Sequence, residues 1–254
     1  MRTFLPDRTG RTILELGTGW YPVVPILFYL TSADRVITID IQKWMTRKSQ
    51  QETLVKFIEW KMAGRLDDLL PFIDEARWER VSGIVENPSA YSMEQINELT
   101  GIMPLIQDAR KIFLKSGSVD FICSNNTFEH IPPGVLRDIL REFSRLLVPG
   151  GAMSHFIDLT DHFAHMDRQI TIYNFLKYSN KLWAILDNRI QPQNRMRFRD
   201  YTEMYRDLGI PVTDQKLFPG HLLDLKRIRV HPEFRDYTPE ELIISHAYVI
   251  TALP

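Results

Sequence analysis

Ile13-Leu14-Glu15-Leu16-Gly17-Thr18-Gly19, in one-letter form ILELGTG, reads as a buried strand that runs out into a glycine turn. Ile13, Leu14 and Leu16 suit a parallel strand covered on both faces, and Glu15, Gly17 and Gly19 stand where such a strand gives way to a binding loop. A second acid, Asp40, closes the apolar run Val36 to Ile39 and follows Gly19 by 21 residues. About 20 is the spacing at which a glycine loop and a ribose-binding acid belong to one nucleotide site. Pro22 and Pro25 fit the first turn of a helix between the two strands, so Thr12 to Asp40 reads as one βαβ unit.

The dinucleotide fingerprint GxGxxG needs a third glycine for close packing beside a pyrophosphate, and here that position holds Pro22. An acid two residues before the first glycine suits a ligand that carries an ammonium group and no phosphate. S-adenosyl-L-methionine (SAM) is such a ligand. An acidic residue followed by Gly17-x-Gly19 resembles the first motif of the class I SAM-dependent methyltransferases; the third glycine common in that family is Tyr21 here.

The chain supplies further motifs in the order that resemblance requires. Ile102 to Ile106 reads as a short strand followed by Gln107-Asp108-Ala109, similar to the family's adenine-reading pair. Val119 to Cys123 reads as the next strand, ending in Ser124-Asn125-Asn126-Thr127-Phe128-Glu129-His130-Ile131, which resembles the fourth motif, at the strand ends where open α/β sheets bind ligands. Pro132 and Pro133 open a helix with Leu136, Ile139, Leu140, Phe143, Leu146 and Leu147 at helical spacing. Leu147-Val148-Pro149-Gly150-Gly151 then resembles the turn into a fifth strand, Ala152 to Ile157.

The resemblance implies an α/β fold: a Rossmann-like doubly wound sheet of the seven-stranded methyltransferase type, mostly parallel with an antiparallel edge, and with a helical insertion. Ile210 to Leu217 and Ala247 to Ala252 are the expected edge pair. It also implies SAM as cofactor and S-adenosylhomocysteine as product. Glu15, Gly17, Thr18, Gly19, Asp40, Ile41, Asp108, Ala109 and Asn125 would hold SAM, with Asp40 on the ribose, Ile41 against adenine and Asp108 on its amino group.

At 254 residues one α/β domain with an elaboration suffices, so a single domain over 1–254 is expected. The 68 positions from Asp40 to Asp108 exceed the ~30 of a βαβ repeat. An insertion over about 42–101 therefore carries helices, with Leu54, Ile58 and Met62 as one stripe and Leu66, Leu69, Leu70 and Ile73 as another. A Ser92/Gln95 capping box starts a third helix that Gly101 ends. These helices form either a lid or a thicker outer layer. A second cap-forming region spans about 158–205, with a long helical stretch from Ile170 to Leu186 and another helix capped by Asp200 and Glu203.

Composition is that of a soluble globular protein, 44% hydrophobic and 25% charged. A net charge of −1 and a pI near 6.7 give no general attraction to nucleic acid. The single cysteine, Cys123, excludes an internal disulfide and a cysteine-based zinc cluster. Met1 to Arg11 lacks a signal core and no apolar run is long enough for a membrane span, so the expected location is cytoplasmic.

Methyl transfer from a sulfonium is an in-line displacement needing alignment and a dry pocket, and a hydroxyl acceptor adds the need for a base. His162, just past the fifth strand, is the first candidate and His130 the second, with Asp158 beside them. His155 inside the strand reads as a buried, hydrogen-bonded core histidine, and His165 as a helix start. Asp158, Asp161, His162 and His165 together resemble a divalent-metal set, although carboxylates before a helix are commonly caps. Arg189, Arg195, Arg197 and Arg199 read either as a solvated stripe or as a grip for a phosphate or carboxylate. Trp44, Trp60, Trp78 and Trp183 read as packing. The acceptor expected from these features is a small molecule, a sugar first. The rival readings are a non-catalytic scaffold of the same fold, or a nicotinamide-dependent oxidoreductase.

Overall fold

Strand β1 (Thr12–Leu16) pairs in parallel with β2 (Arg35–Asp40) on one side and β4 (Val119–Asn125) on the other, and Ile13, Leu14 and Leu16 are buried as that double pairing demands. The computed structural model describes residues 10–70, 72–187 and 192–253. Arg189 and most of the N-terminal stretch read for a signal core lie outside them. Strand β3 (Ile102–Ile106) adds to β2 in parallel. Between β1 and β2 runs α1 (Val23–Leu30), with Pro22 as its N-cap and Pro25 in its first turn, where missing N–H groups cost nothing. The seven strands form one sheet in the order β3-β2-β1-β4-β5-β7-β6.

The chain falls into two compact units. The first takes the chain up to Ser124 together with Glu142–Met153 and Leu253. Its insertion folds as α2 (Arg47–Met62), α3 (Arg65–Leu69), α4 (Glu75–Glu86) and α5 (Met93–Thr100). Leu54, Phe57, Leu66, Val81, Ile84 and Ile96 are buried in one cluster with Ile26, Tyr29 and Leu30 of α1 and Ile102 of β3. Each such side chain contributes roughly 1.5–3 kcal/mol on burial, so these helices are part of the unit's packed core. The capping box Ser92/Gln95 forms, and Gly101 ends α5 at φ +62°, where a Cβ would stand 2.6 Å from the Asp34 carbonyl oxygen.

Two details of the insertion differ from expectation. Met62 and Leu69 are exposed, because α2 turns Phe57 rather than Met62 inward and α3 ends at Leu69. Helix α4, capped by Asp74 accepting the Arg77 N–H at 3.1 Å, has no counterpart in the sequence reading; Gly83 interrupts its apolar face of Trp78, Val81, Ile84 and Val85.

The second unit comprises Asn125–Arg141 and Ser154–Ala252. Helix α6 (Pro133–Leu146) begins in it and ends where β5 (Leu147–Asp158) starts. Leu147 therefore opens the strand instead of closing the helix; it continues the i+3/i+4 stripe, which hides the change of structure. Strand β7 (Ile244–Ala252) pairs antiparallel with β6 (Asp214–Pro219), with Asp214 opposite Ile250 and Phe218 opposite His246. β6 starts later than Ile210 because Pro211 can donate nothing to a ladder.

The long helix expected from Ile170 to Leu186 is not continuous. It resolves into a 3₁₀ turn at Asn174–Lys177 and the short α7 (Asn180–Leu186), capped by the Ser179 hydroxyl, and a further 3₁₀ turn at His162–His165 precedes it. Thr171 accepts the Tyr173 N–H, a local bond that competes with helix. Tyr173, Phe175, Leu176 and Trp183 instead pack with Leu225, Phe234 and Leu242. Helix α8 (Phe198–Asp207) has Arg197 as its N-cap, and Asp200, predicted to be the cap, accepts the Arg197 N–H at 2.7 Å from the third helical position.

Candidate functional site

In the first unit β1 and β2 end side by side, Leu16 opposite Ile39, and the Gly17 N–H donates to the Ile39 carbonyl at 2.8 Å. Gly17 (φ +78°) and Gly19 (φ +68°) both occupy the left-handed region, so the loop needs glycine at both places. The turn brings the Gly19 N–H to Asp40 Oδ2 at 3.2 Å. Glu15 is buried and accepts a 2.5 Å bond from the Thr18 hydroxyl. Burial raises the Glu15 carboxyl to about 8, opposed by the Thr18 bond and reinforced by Asp40. Burial likewise raises Asp40 to about 6 against the pull of the Gly19 and Thr18 amides. Two acids held partly neutral at one loop are matched to a ligand that brings positive charge and hydroxyl donors.

Beside them the Gln107 N–H donates to the Asp40 carbonyl at 3.1 Å, which fixes the turn carrying Asp108 and the buried Ala109. The Asp108 carboxylate is held by Arg110 in an ion pair of 2.5 Å, which keeps its pKa below the usual range. An adenine amino group would share that carboxylate with Arg110. Ile41 is 68% exposed, and Trp20, tilted against Trp44 at 4.9 Å between ring centres, is half exposed.

The second unit gathers the histidines. His162 Nε2 lies 3.4 Å from Asp158 Oδ2, an ion-pair distance longer than an N–H···O bond. Burial alone would raise Asp158, but His162 and the Thr160 hydroxyl and amide outweigh it and bring the carboxyl down to about 2. His246, on β7, stands 3.6 Å from the other Asp158 oxygen. The His130 and His162 rings meet edge to face at 5.0 Å, and His130 donates its Nδ1–H to the Pro192 carbonyl at 2.9 Å. Burial lowers the His130 pKa. Glu129 is 3% exposed, neither of its carboxyl oxygens has a partner at full hydrogen-bond geometry, and burial raises it to about 8 against the weaker pull of the Glu129 and Asp158 amides.

Residues 80–154 match a family model described as a methyltransferase domain, a span that begins after the glycine loop. A SAM-dependent methyltransferase from Mesorhizobium loti superposes with a TM-score of 0.53 at 16% identity, covering 99% of this chain and 94% of that one. A Listeria monocytogenes structure described as a candidate SAM-dependent methyltransferase gives 0.52 at 12% identity, covering 100% and 95%. Magnesium protoporphyrin IX methyltransferase from Synechocystis, with bound S-adenosylhomocysteine, gives 0.50 at 10%, covering 98% and 76%. No curated protein sequence matches the chain. The fold is that of the class I SAM-dependent methyltransferases. Sheet order, the antiparallel β6-β7 edge and the domain match together support a methyltransferase enzyme that uses SAM.

Within the class I fold, Glu15, Gly17, Thr18, Gly19, Asp40, Ile41, Asp108 and Ala109 all stand at the ends of β1, β2 and β3. Asn125 ends β4 and belongs to the second unit, where it is exposed. His155 is fully buried, stacked on Phe128 at 4.2 Å, and burial lowers it to about 3, so it belongs to the core. The metal set read from the sequence does not assemble. Asp161 is a cap, accepting the Phe163 N–H at 2.9 Å, and His165 reaches Thr160 at 3.5 Å, while His162 groups with His130 and Glu129 instead.

The arginines are the clearest correction. Arg197 is fully buried and donates to the carbonyls of Leu159, Leu242 and Ile244 at 2.6–2.9 Å. Arg195 is also buried and donates to the Phe175 and Tyr178 carbonyls, and Arg199 pairs with Glu241. Neither a solvated stripe nor an anion grip describes Arg195 and Arg197; they tie loops together. His246 was missed because it lies in an ordinary strand with no local motif. Glu129 sat inside the quoted Phe128-Glu129-His130-Ile131 phrase without a role.

Proposed function

We propose that the protein is a SAM-dependent methyltransferase that O-methylates a hydroxyl of a small molecule, a sugar or glycan precursor first among them. The observation that carries the cofactor half is the glycine loop bonded to Asp40 over the buried Glu15. Its residues fit SAM. Glu15 would face the ammonium group, Asp40 the ribose hydroxyls, Ile41 the adenine face, Asp108 and Ala109 the adenine edge, and Asn125 the methionine part. Bound SAM supplies an activated methyl group on a sulfonium, which leaves the protein to align the acceptor and exclude water.

In the second unit His162 takes the acceptor's proton. Asp158 orients the ring and, ionised throughout the physiological range, stabilises the imidazolium that results. His130 is the second candidate. The sugar preference follows from likeness of fold.

Thermal shift with SAM, S-adenosylhomocysteine and NADH in parallel tests the cofactor, followed by a screen of sugar acceptors with methyl-labelled SAM. A ligand at 100 times its Kd adds ~2.7 kcal/mol, a shift of roughly 5–10 °C for a chain of this size. Stabilisation by the first two compounds only is expected. Stabilisation by NADH alone would overturn the reading in favour of an oxidoreductase, and SAM binding without transfer to any hydroxyl would favour a scaffold.

A further inference from the structure

Glu129, His130 and His162 each offer one ligand-type atom, and these three atoms lie within 4.8 Å of one another. We propose that this cluster is a binding site for a divalent first-row transition ion, zinc in the first instance. Two imidazoles and one carboxylate are the protein ligands of a tetrahedral site that keeps a fourth position open. Nitrogen-rich donors select zinc-like ions over magnesium or calcium, which take oxygen.

Two independent observations point to a cation beyond the residue types. Glu129 is 97% removed from solvent, yet neither carboxyl oxygen has a partner at full hydrogen-bond geometry, and only the Glu129 and Asp158 amides lie near enough to favour its charge. Such a group is costly to bury, and a coordinated ion would satisfy it. Second, the Pro192 carbonyl can only accept, so the 2.9 Å contact places the His130 proton on Nδ1 and leaves the Nε2 lone pair free. A backbone carbonyl on the outer nitrogen is the usual support of a metal-bound histidine. Ligand atoms about 2.1 Å from a tetrahedral ion are ~3.4 Å apart, so side-chain adjustments of about 1 Å close the site.

This inference does not rest on methyl transfer. With the ion in place His130 and His162 are ligands, and the open position accepts an oxygen of water or of the acceptor. Without it His162 remains available as a base.

The test uses full-length protein without a histidine tag, stripped with chelator and titrated with Co²⁺ while visible absorption is followed, then with Zn²⁺ in competition. One Co²⁺ per chain with a four- or five-coordinate spectrum, displaced by Zn²⁺, is expected. Glu129→Gln and His130→Ala should each weaken binding by more than ~100-fold, above the ~10–100-fold that loss of an outer partner costs. Circular dichroism of both variants checks folding. Absence of stoichiometric binding, or binding unchanged in the folded variants, overturns the site. Methyl transfer by a protein that binds no ion would sink this inference and leave the proposed function standing; metal binding without transfer would do the reverse.

Discussion

The backbone N–H of Gly19 donates to the carboxylate of Asp40 at 3.2 Å, so the glycine loop and the acid at the end of β2 are one hydrogen-bonded structure. Asp40 therefore shapes the loop, and in the proposed function it also receives the ribose.

Asp40→Ala removes both. Hydrogen bonds to a charged group are worth ~1.5–3 kcal/mol each, so SAM affinity should fall about 100-fold or more. Asp40→Asn, which can still accept from Gly19, should fall less. Titration calorimetry with SAM and with S-adenosylhomocysteine measures both. Equal affinity of Asp40→Ala and wild type would remove Asp40 from the site.

Glu15 makes stability depend on pH. Its folded pKa of about 8 lies above the ordinary glutamate value of 4.5, so the folded chain holds a proton that the unfolded chain releases. Stability contributed by this group is therefore full below about 4.5 and is lost as pH rises to about 8. Glu15→Gln should abolish that dependence. The melting temperature of the variant relative to wild type should rise by about 5–10 °C between pH 5 and pH 8.5 without ligand. A flat difference would mean that Glu15 ionises freely. The same variant should bind SAM more weakly, since the ammonium group can draw the proton off Glu15 and pair with its carboxylate but cannot ionise glutamine.

How far this was legible in the sequence differs between the two units. Elements whose signal is local came through: the β1 strand and glycine turn, the α6 stripe from Leu136 to Leu146, and the Ser92/Gln95 box with Gly101. The pairing of Asp40 with the glycine loop was legible as the 21-residue spacing from Gly19. What stayed hidden depends on distant partners. Nothing near Arg197 announces the carbonyls of Leu159, Leu242 and Ile244, 38–47 residues away, and alternation of three arginines looks the same on a surface as in a core. Glu129 acquires meaning only when His162 arrives beside it. The segment from Ile170 to Leu186 misled because aromatic residues at mixed spacing satisfy a helical template that Thr171 and Ser179 interrupt.

Arg197→Met should be among the most destabilising single changes in the second unit. Methionine fills much of the volume but leaves three buried carbonyls without their donor, each costing about 1–3 kcal/mol. A loss of ~3–9 kcal/mol, or roughly 10 °C or more in melting temperature, is expected by chemical and thermal unfolding. Arg197→Lys keeps the charge but not the fork, and should recover only part. Stability within 1 °C of wild type in Arg197→Met would show that water replaces the guanidinium.

The base assignment is tested on chelator-treated protein with the acceptor that the screen identifies. His162→Ala should lower kcat by ~10²–10⁴, the usual worth of a general base, while SAM affinity is unchanged. Asp158→Asn keeps the side chain's shape and loses its charge, so the ring of His162 keeps a neighbour but its imidazolium loses the partner at 3.4 Å. The variant should lower kcat with little change in acceptor KM, because the charge matters only once the proton has moved. His246 approaches the same carboxylate at 3.6 Å from the other oxygen, so His246→Ala distinguishes a shared network from a dedicated pair. If Asp158 serves His162 alone, His246→Ala leaves kcat near wild type. A fall in acceptor KM affinity with kcat intact in both His162→Ala and Asp158→Asn would instead make the pair a binding element, and the proton would leave by another route.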